Sequence, residues 1–183
     1  ELAERGHRVT GVDFAPAMVA LARGKAAARG VAVRFEEADA EQLPYPSGRF
    51  DLVISRHLLW TLPHPEAAID AWIRVLRAGG RLAVVDSKLD SGAGPPPTEN
   101  ARTSAEYAAI GDRLPFLGGR AREEIEDLLA THGLVNVGSD PMLDVVAAQE
   151  QRMLDEGRAP TPRRRYVVWG DAPGAREEVA GRI

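Results

Sequence analysis

Three short stretches place polar side chains where an apolar strand should end. Asp13 follows Arg8-Val9-Thr10-Gly11-Val12, Asp39 lies within Ala38-Asp39-Ala40-Glu41-Gln42-Leu43-Pro44, and Ser55-Arg56-His57 follow the apolar centre of Phe50-Asp51-Leu52-Val53-Ile54. In an open parallel sheet, ligands bind outside the carboxyl ends of the strands. A carboxylate at Asp13 can accept hydrogen bonds from both hydroxyls of a ribose. Asp39 can accept one from an adenine amino group while the backbone N–H of Ala40 serves a ring nitrogen. His57 is the candidate general base, and Arg56 beside it is a candidate to face the reacting methyl group or the acceptor. Each position also has a plainer reading. Asp13 can cap the helix that follows, Asp39 can form an Asx turn, and Ser55-Arg56-His57 can be a polar loop. The spacing of one strand–helix unit between the two carboxylates favours a shared ligand containing adenosine.

These positions need a regular scaffold, and the sequence supplies one. Leu2-Ala3-Glu4-Arg5-Gly6 reads as the last turn of a helix stopped by Gly6. The strand ending at Asp13 leads to a helix from Pro16 to about Arg29, with Met18, Val19, Ala22 and Ala26 on one face and Gly30 as its stop. Val31–Phe35 and Phe50–Ser55 are the next strands, the latter with an apolar centre suited to a sheet covered on both faces. A helix over about Pro65–Leu76 and a strand over Arg81–Asp86 complete a βαβ alternation, which implies parallel strands with right-handed crossovers.

The alternation breaks at Ser91–Pro97. A helix near Asn100–Arg113, a turn at Leu114–Gly119, a helix over Arg122–Thr131, a strand over Leu134–Gly138, a helix over Asp144–Asp155 and a strand over Arg165–Trp169 follow. The tail from Asp171 is expected to fray. The expectation is one α/β domain over residues 1–183, a doubly wound and mostly parallel sheet with helices on both faces. Residues 91–119 form an insert that covers a substrate, with Tyr107 and Phe116 as contacts; packing alone is the competing reading.

Composition narrows the function. The net charge is −4, which argues against a general nucleic-acid binder, and Arg163-Arg164-Arg165 reads as a solvated face. There are no cysteines, so disulfides and thiolate metal sites are excluded, and no metal site is expected. No apolar run is long enough to span a bilayer and no signal peptide is visible, so the expected setting is cytoplasmic with no membrane partner.

The motifs, in order, resemble those of class I S-adenosylmethionine-dependent methyltransferases, most closely the type 11 small-molecule group. Gly11-Val12-Asp13 with Ala15-Pro16-Ala17-Met18 resembles the family's second-strand motif, Ala38–Pro44 its adenine loop, and Phe50–Ser55 its fourth strand. Leu76-Arg77-Ala78-Gly79-Gly80-Arg81-Leu82 resembles the "LRPGG" turn into the fifth strand, with Ala78 in place of proline. The helix Arg122–Thr131 with Gly133-Leu134 resembles the family's late helix, so the resemblance covers about Glu1–Gly138. It implies S-adenosylmethionine as cofactor and a small molecule as methyl acceptor. It further implies Asp13 on the ribose, Phe14 against the nucleoside, Met18 lining the same pocket, Asp39 and Ala40 on adenine, and Ser55 near the methionine portion or the methyl group.

One family motif is missing. A glycine-rich DxGxGxG loop normally follows the first strand and cradles the cofactor's methionine end. Glu1–Gly6 resembles the tail of the helix after that loop, and neither Gly92–Pro97 nor Gly118-Gly119 replaces it. The chain is therefore expected to be an N-terminally truncated fragment, weak or inactive as it stands. Two other functions stay open here. One is a non-catalytic binding protein on the methyltransferase fold, and the other is a nicotinamide-dependent oxidoreductase with Asp13 on the adenosine ribose.

Overall fold

The structure is a computed structural model describing residues 1–89, 107, 109–158 and 163–174. The chain forms two compact units, Glu1–Tyr45 and Pro46–Ile183.

The first unit opens on a helical turn closed by Gly6 at φ +86°, with His7 N–H on the Leu2 carbonyl and Gly6 N–H on that of Ala3. This is the glycine-stopped helix end that the sequence implies. Strand β1 (Val9–Asp13), helix α1 (Pro16–Ala28) and strand β2 (Val33–Glu37) follow as one βαβ unit. The strands are parallel, in register from Val9 opposite Val33 to Asp13 opposite Glu37. Gly11 lets the Phe35 ring lie against β1, since a Cβ there would stand 2.7 Å from ring carbons. Strand β2 starts two residues later than the apolar run suggests. Gly30 at φ +65° and the bond from Val31 N–H to the Ala26 carbonyl draw Val31 into the helix stop.

Tyr45 closes this unit by donating its hydroxyl hydrogen bond to Glu36, which also pairs with Arg34. Burial, reinforced by the Glu36 carboxylate, pushes the Tyr45 phenol up to about 12. A phenol with an ordinary value of about 10 in the unfolded chain favours the folded state most below that pH. Its contribution is lost as pH rises through the folded value. Alkaline unfolding should therefore show falling stability from about pH 10 to about 12. Tyr45→Phe should flatten that window and remove the phenolate absorbance that rises near pH 12.

The second unit holds a four-stranded sheet whose neighbouring strands are, in order, β3 (Phe50–Arg56), β4 (Leu76–Leu89), β6 (Arg163–Asp171) and β5 (Val135–Asp140). Strands β3 and β4 are parallel and joined by helix α2 (Pro65–Val75). Helix α2 begins with Pro65, where a missing N–H costs nothing. It buries Ala68, Ile69, Ala71, Trp72 and Val75. Leu82 and Val84 of β4 are fully buried with Val168 of β6. Helix α3 (Arg122–Thr131) adds Ile125 and Leu129 to this core and packs on β5 (Val135–Asp140) and β6 (Arg163–Asp171). Glu124 caps α3 by accepting the Ala121 N–H at 2.6 Å, which holds its carboxyl below the ordinary range. His132 Nδ1 lies 2.7 Å from Asp70 Oδ1, tying the end of α3 to α2. Helix α4 (Leu143–Asp155) lies against β6.

Three further features differ from the sequence reading. Strand β4 begins at Leu76 rather than Arg81, because its pairing with β3 jumps from Phe50–Leu76 to Leu52–Arg81. The residues between bulge out, and only glycine fits at Gly80, where a Cβ would meet the Arg77 carbonyl at 2.9 Å and that of Asp51 at 3.1 Å. The second concerns cover on the sheet. Leu52 and Ile54 of β3 are 42% and 48% exposed, so their face is open among the described residues. The sheet also turns antiparallel beyond β4. Strand β6 lies between β4 and β5 and runs against both, with Asp86 opposite Tyr166.

Of the 91–119 insert, only Tyr107 and residues 109–119 fall within the described residues, including a single 3-10 turn at Gly111–Arg113. Among the described residues, no helix is long and apolar enough to cross a membrane.

Candidate functional site

In the first unit, both predicted carboxylates stand at the same end of one parallel pair. Asp13 is the last residue of β1, and its carbonyl accepts the N–H of Ala38 at 3.1 Å, which anchors the Asp39 loop to that strand end. Each carboxylate fixes itself with one oxygen. Asp13 Oδ1 accepts the Ala15 N–H at 2.9 Å, and Asp39 Oδ1 accepts the Glu41 N–H at 2.8 Å. Asp39 thus forms the turn its residue type suggests, whereas Asp13 bonds the N–H of Ala15, the N-cap residue of α1, and does not itself cap that helix. With Oδ1 held, each carboxylate is oriented and its Oδ2 is left available to a ligand. Asp13 is half-buried and Asp39 is exposed. Phe14 is 78% exposed and Met18 51% exposed, leaving apolar surface beside the Asp13 carboxylate in the chain. Ala40 is half-buried.

In the second unit, the end of β3 carries three polar residues with three different environments. Ser55 is buried at 5% exposure, and its Oγ has no hydrogen-bond partner. A buried hydroxyl without a partner is costly and uncommon. Arg56 is exposed. His57 has a left-handed backbone at φ +52° and donates its N–H to the Val85 carbonyl at 2.9 Å. A non-glycine residue held in that region costs about 1 kcal/mol or more and is often found at functional sites.

Sequence reasoning missed the partner of His57. Asp86 of β4 is 3% exposed, its Oδ1 accepts the Ser87 N–H at 2.8 Å, and the same oxygen lies 3.7 Å from His57 Nδ1. The signal was present, since Asp86 ends the apolar run Leu82-Ala83-Val84-Val85 on the strand next to β3. The strand-end rule that singled out Asp13 applies equally there.

The two predicted acceptor contacts have different surroundings. Tyr107 stacks at a tilt on Trp60, with ring centroids 5.1 Å apart. Phe116 is covered by the Arg120 guanidinium at 4.6 Å, and Arg120 also donates to the Pro115 carbonyl at 2.8 Å. Gly119 comes so close to β4 that a Cβ would stand 2.0 Å from the Ser87 carbonyl oxygen. Among the described residues, no group of three or more His, Asp or Glu could hold a metal ion.

Comparison with known proteins bears on the family and the fold. The methyltransferase domain profile matches residues 1–84. The chain is 44% identical over 114 residues to a demethylmenaquinone methyltransferase of Thermus thermophilus, covering 62% of this chain and 49% of that protein. It is 30% identical over 158 residues to a phosphatidylethanolamine N-methyltransferase of Cereibacter sphaeroides, covering 82% of this chain and 66% of that protein. The chain thus spans about half of the first relative's length. Among solved structures, phosphoethanolamine N-methyltransferase 2 of Haemonchus contortus, in complex with S-adenosyl-L-methionine, superposes with a TM-score of 0.67 at 17% identity. That match covers 94% of this chain and 45% of that one, and it speaks for a shared Rossmann-like fold. With its motifs in family order on that fold and its relatives named as methyltransferases, the chain belongs to the class I S-adenosylmethionine-dependent methyltransferases.

Proposed function

We propose that this chain serves methyl transfer from S-adenosylmethionine to a small-molecule acceptor. The observation that carries the reading is the pair of strand-end carboxylates, Asp13 and Asp39, each oriented through Oδ1 with Oδ2 left for a ligand. The unpartnered Ser55 Oγ supports it independently, since a ligand atom would satisfy that hydroxyl.

When bound, S-adenosylmethionine supplies a methyl group made electrophilic by a sulfonium. The residues have the following roles. Asp13 accepts from the ribose hydroxyls, with Phe14 and Met18 shielding the nucleoside. Asp39 accepts from the adenine amino group and Ala40 donates to a ring nitrogen. Ser55 Oγ binds the methionine portion. His57 takes a proton from the acceptor, and Arg56 attracts an acceptor that carries negative charge. Methyl transfer asks mainly for an aligned, dry approach, so a site without metal ligands or a strong nucleophile is sufficient. Tyr107 and Phe116 contact the acceptor.

The acceptor class follows from two considerations. The relative at 44% identity is named a demethylmenaquinone methyltransferase, and the tilted Trp60–Tyr107 pair offers aromatic surface to a flat ring. A reduced naphthoquinone ring is therefore the first acceptor to test. With methyl-labelled S-adenosylmethionine, label should pass to a demethylmenaquinol analogue in preference to phosphatidylethanolamine. Transfer to the phospholipid alone would overturn the acceptor assignment, and transfer to neither would favour a binding role without catalysis.

A further inference from the structure

A buried carboxylate is stable only with partners that satisfy it. Asp86 has few. Its Oδ1 accepts the Ser87 N–H, and no arginine or lysine pairs with it among the described residues. Across β6, the facing residue is Tyr166, whose hydroxyl donates instead to the Arg120 carbonyl at 2.9 Å. Burial raises the Tyr166 phenol, and the negative charges of Asp86, Glu124 and Glu123 raise it further, so this neighbour stays neutral. Among the described residues, the group able to carry positive charge that pairs with Asp86 is the imidazole of His57 at 3.7 Å. His57 in turn is held by its backbone, with φ +52° and its N–H on Val85 of the same strand that carries Asp86.

We propose that Asp86 is a positioning residue for His57, fixing the imidazole with Nδ1–H towards the carboxylate and the Nε2 lone pair towards the methyl acceptor. This rests on the methyl-transfer reading given above. An ionised carboxylate only accepts, so the nitrogen facing it must carry the proton. The separation is slightly beyond hydrogen-bond range, and such contacts commonly tighten when a site is loaded. In the reaction the acceptor–methyl bond forms as the sulfur–methyl bond breaks, and that electron pair stays on sulfur. The acceptor's proton passes to His57 Nε2. The resulting imidazolium lies beside the Asp86 charge, and the proton then leaves to solvent.

The test has two parts. Nitrogen-15 spectra of the histidine-labelled protein at about pH 8.5, where a free imidazole of pKa ~6.5 is neutral, report which ring nitrogen carries the proton. A His57→Gln spectrum assigns the signal among the four histidines. The expected form is Nδ1–H, whereas free imidazole side chains favour Nε2–H, and finding Nε2–H at His57 would overturn the proposal without any loss of fold. In the second part, Asp86→Asn should lower kcat about 10- to 100-fold, with acceptor KM and S-adenosylhomocysteine affinity within about twofold of wild type. An unchanged kcat, or a loss confined to S-adenosylhomocysteine affinity, would show that Asp86 does not act through His57. Failure of the methyl-transfer reading itself is seen separately, as absence of S-adenosylhomocysteine binding to the wild-type chain.

Discussion

Gly119→Ala destabilises the chain by roughly 3 kcal/mol or more, whereas Gly133→Ala costs only about 1–2 kcal/mol. Both glycines have positive φ, +82° and +87°. The conformational penalty for an alanine is therefore similar at the two positions. They differ in space. A Cβ at Gly133 meets nothing within 4 Å, while at Gly119 it would lie 2.0 Å from the Ser87 carbonyl oxygen and 3.2 Å from Lys88 Cα. Both neighbours are backbone of β4, where Ser87 and Lys88 pair with Arg165 and Arg164 of β6 and cannot give way cheaply. The segment around Gly119 must move instead, and it carries Arg120, whose carbonyl accepts the Tyr166 hydroxyl. Urea unfolding curves of the two variants at equal m-values check this. Equal losses would mean that Gly119 does not approach Ser87 as described.

The second large effect is on affinity. Asp13→Ala is expected to weaken S-adenosylhomocysteine binding by about 10²- to 10³-fold. Hydrogen bonds to a charged group contribute about 1.5–3 kcal/mol each, and a ribose offers two donors to one carboxylate. The substitution also removes the acceptor for the Ala15 N–H, so the turn into α1 loosens. Asp13→Asn separates the two effects. It keeps an oxygen for Ala15 while replacing the Oδ2 acceptor presented to the ribose with an amide NH2 and removing the charge, and it should fall between wild type and alanine. Asp39→Ala, at an exposed carboxylate with a single donor to meet, should cost nearer tenfold.

Much of this was legible in the sequence because it depends on local rules. Proline at the first turn of α1 and α2, glycine stops at Gly6, Gly30 and Gly133, and apolar runs at β1 and β3 are signals carried by a few neighbouring residues. The strand-end carboxylates were found by the same logic. Features that depend on distant residues were not. The bulge at Ala78–Gly80 follows from the register of β3 on β4, and the antiparallel entry of β6 follows from pairing over some 80 intervening residues. The open face carrying Leu52 and Ile54 could not be seen in an apolar run that looked fit for burial on both sides. The pairing of His57 with Asp86 joins two strand ends that are adjacent only in the folded sheet. Asp86 also looked like one more polar residue closing a strand.

The most direct test of the central claim is calorimetric titration of S-adenosylhomocysteine into the wild-type chain and into Asp13→Ala, with NAD titrated in parallel. The account predicts saturable heat from S-adenosylhomocysteine with the wild type, a large loss of affinity in the variant, and no heat from NAD. Binding of NAD, or S-adenosylhomocysteine binding that Asp13→Ala leaves unchanged, would contradict it.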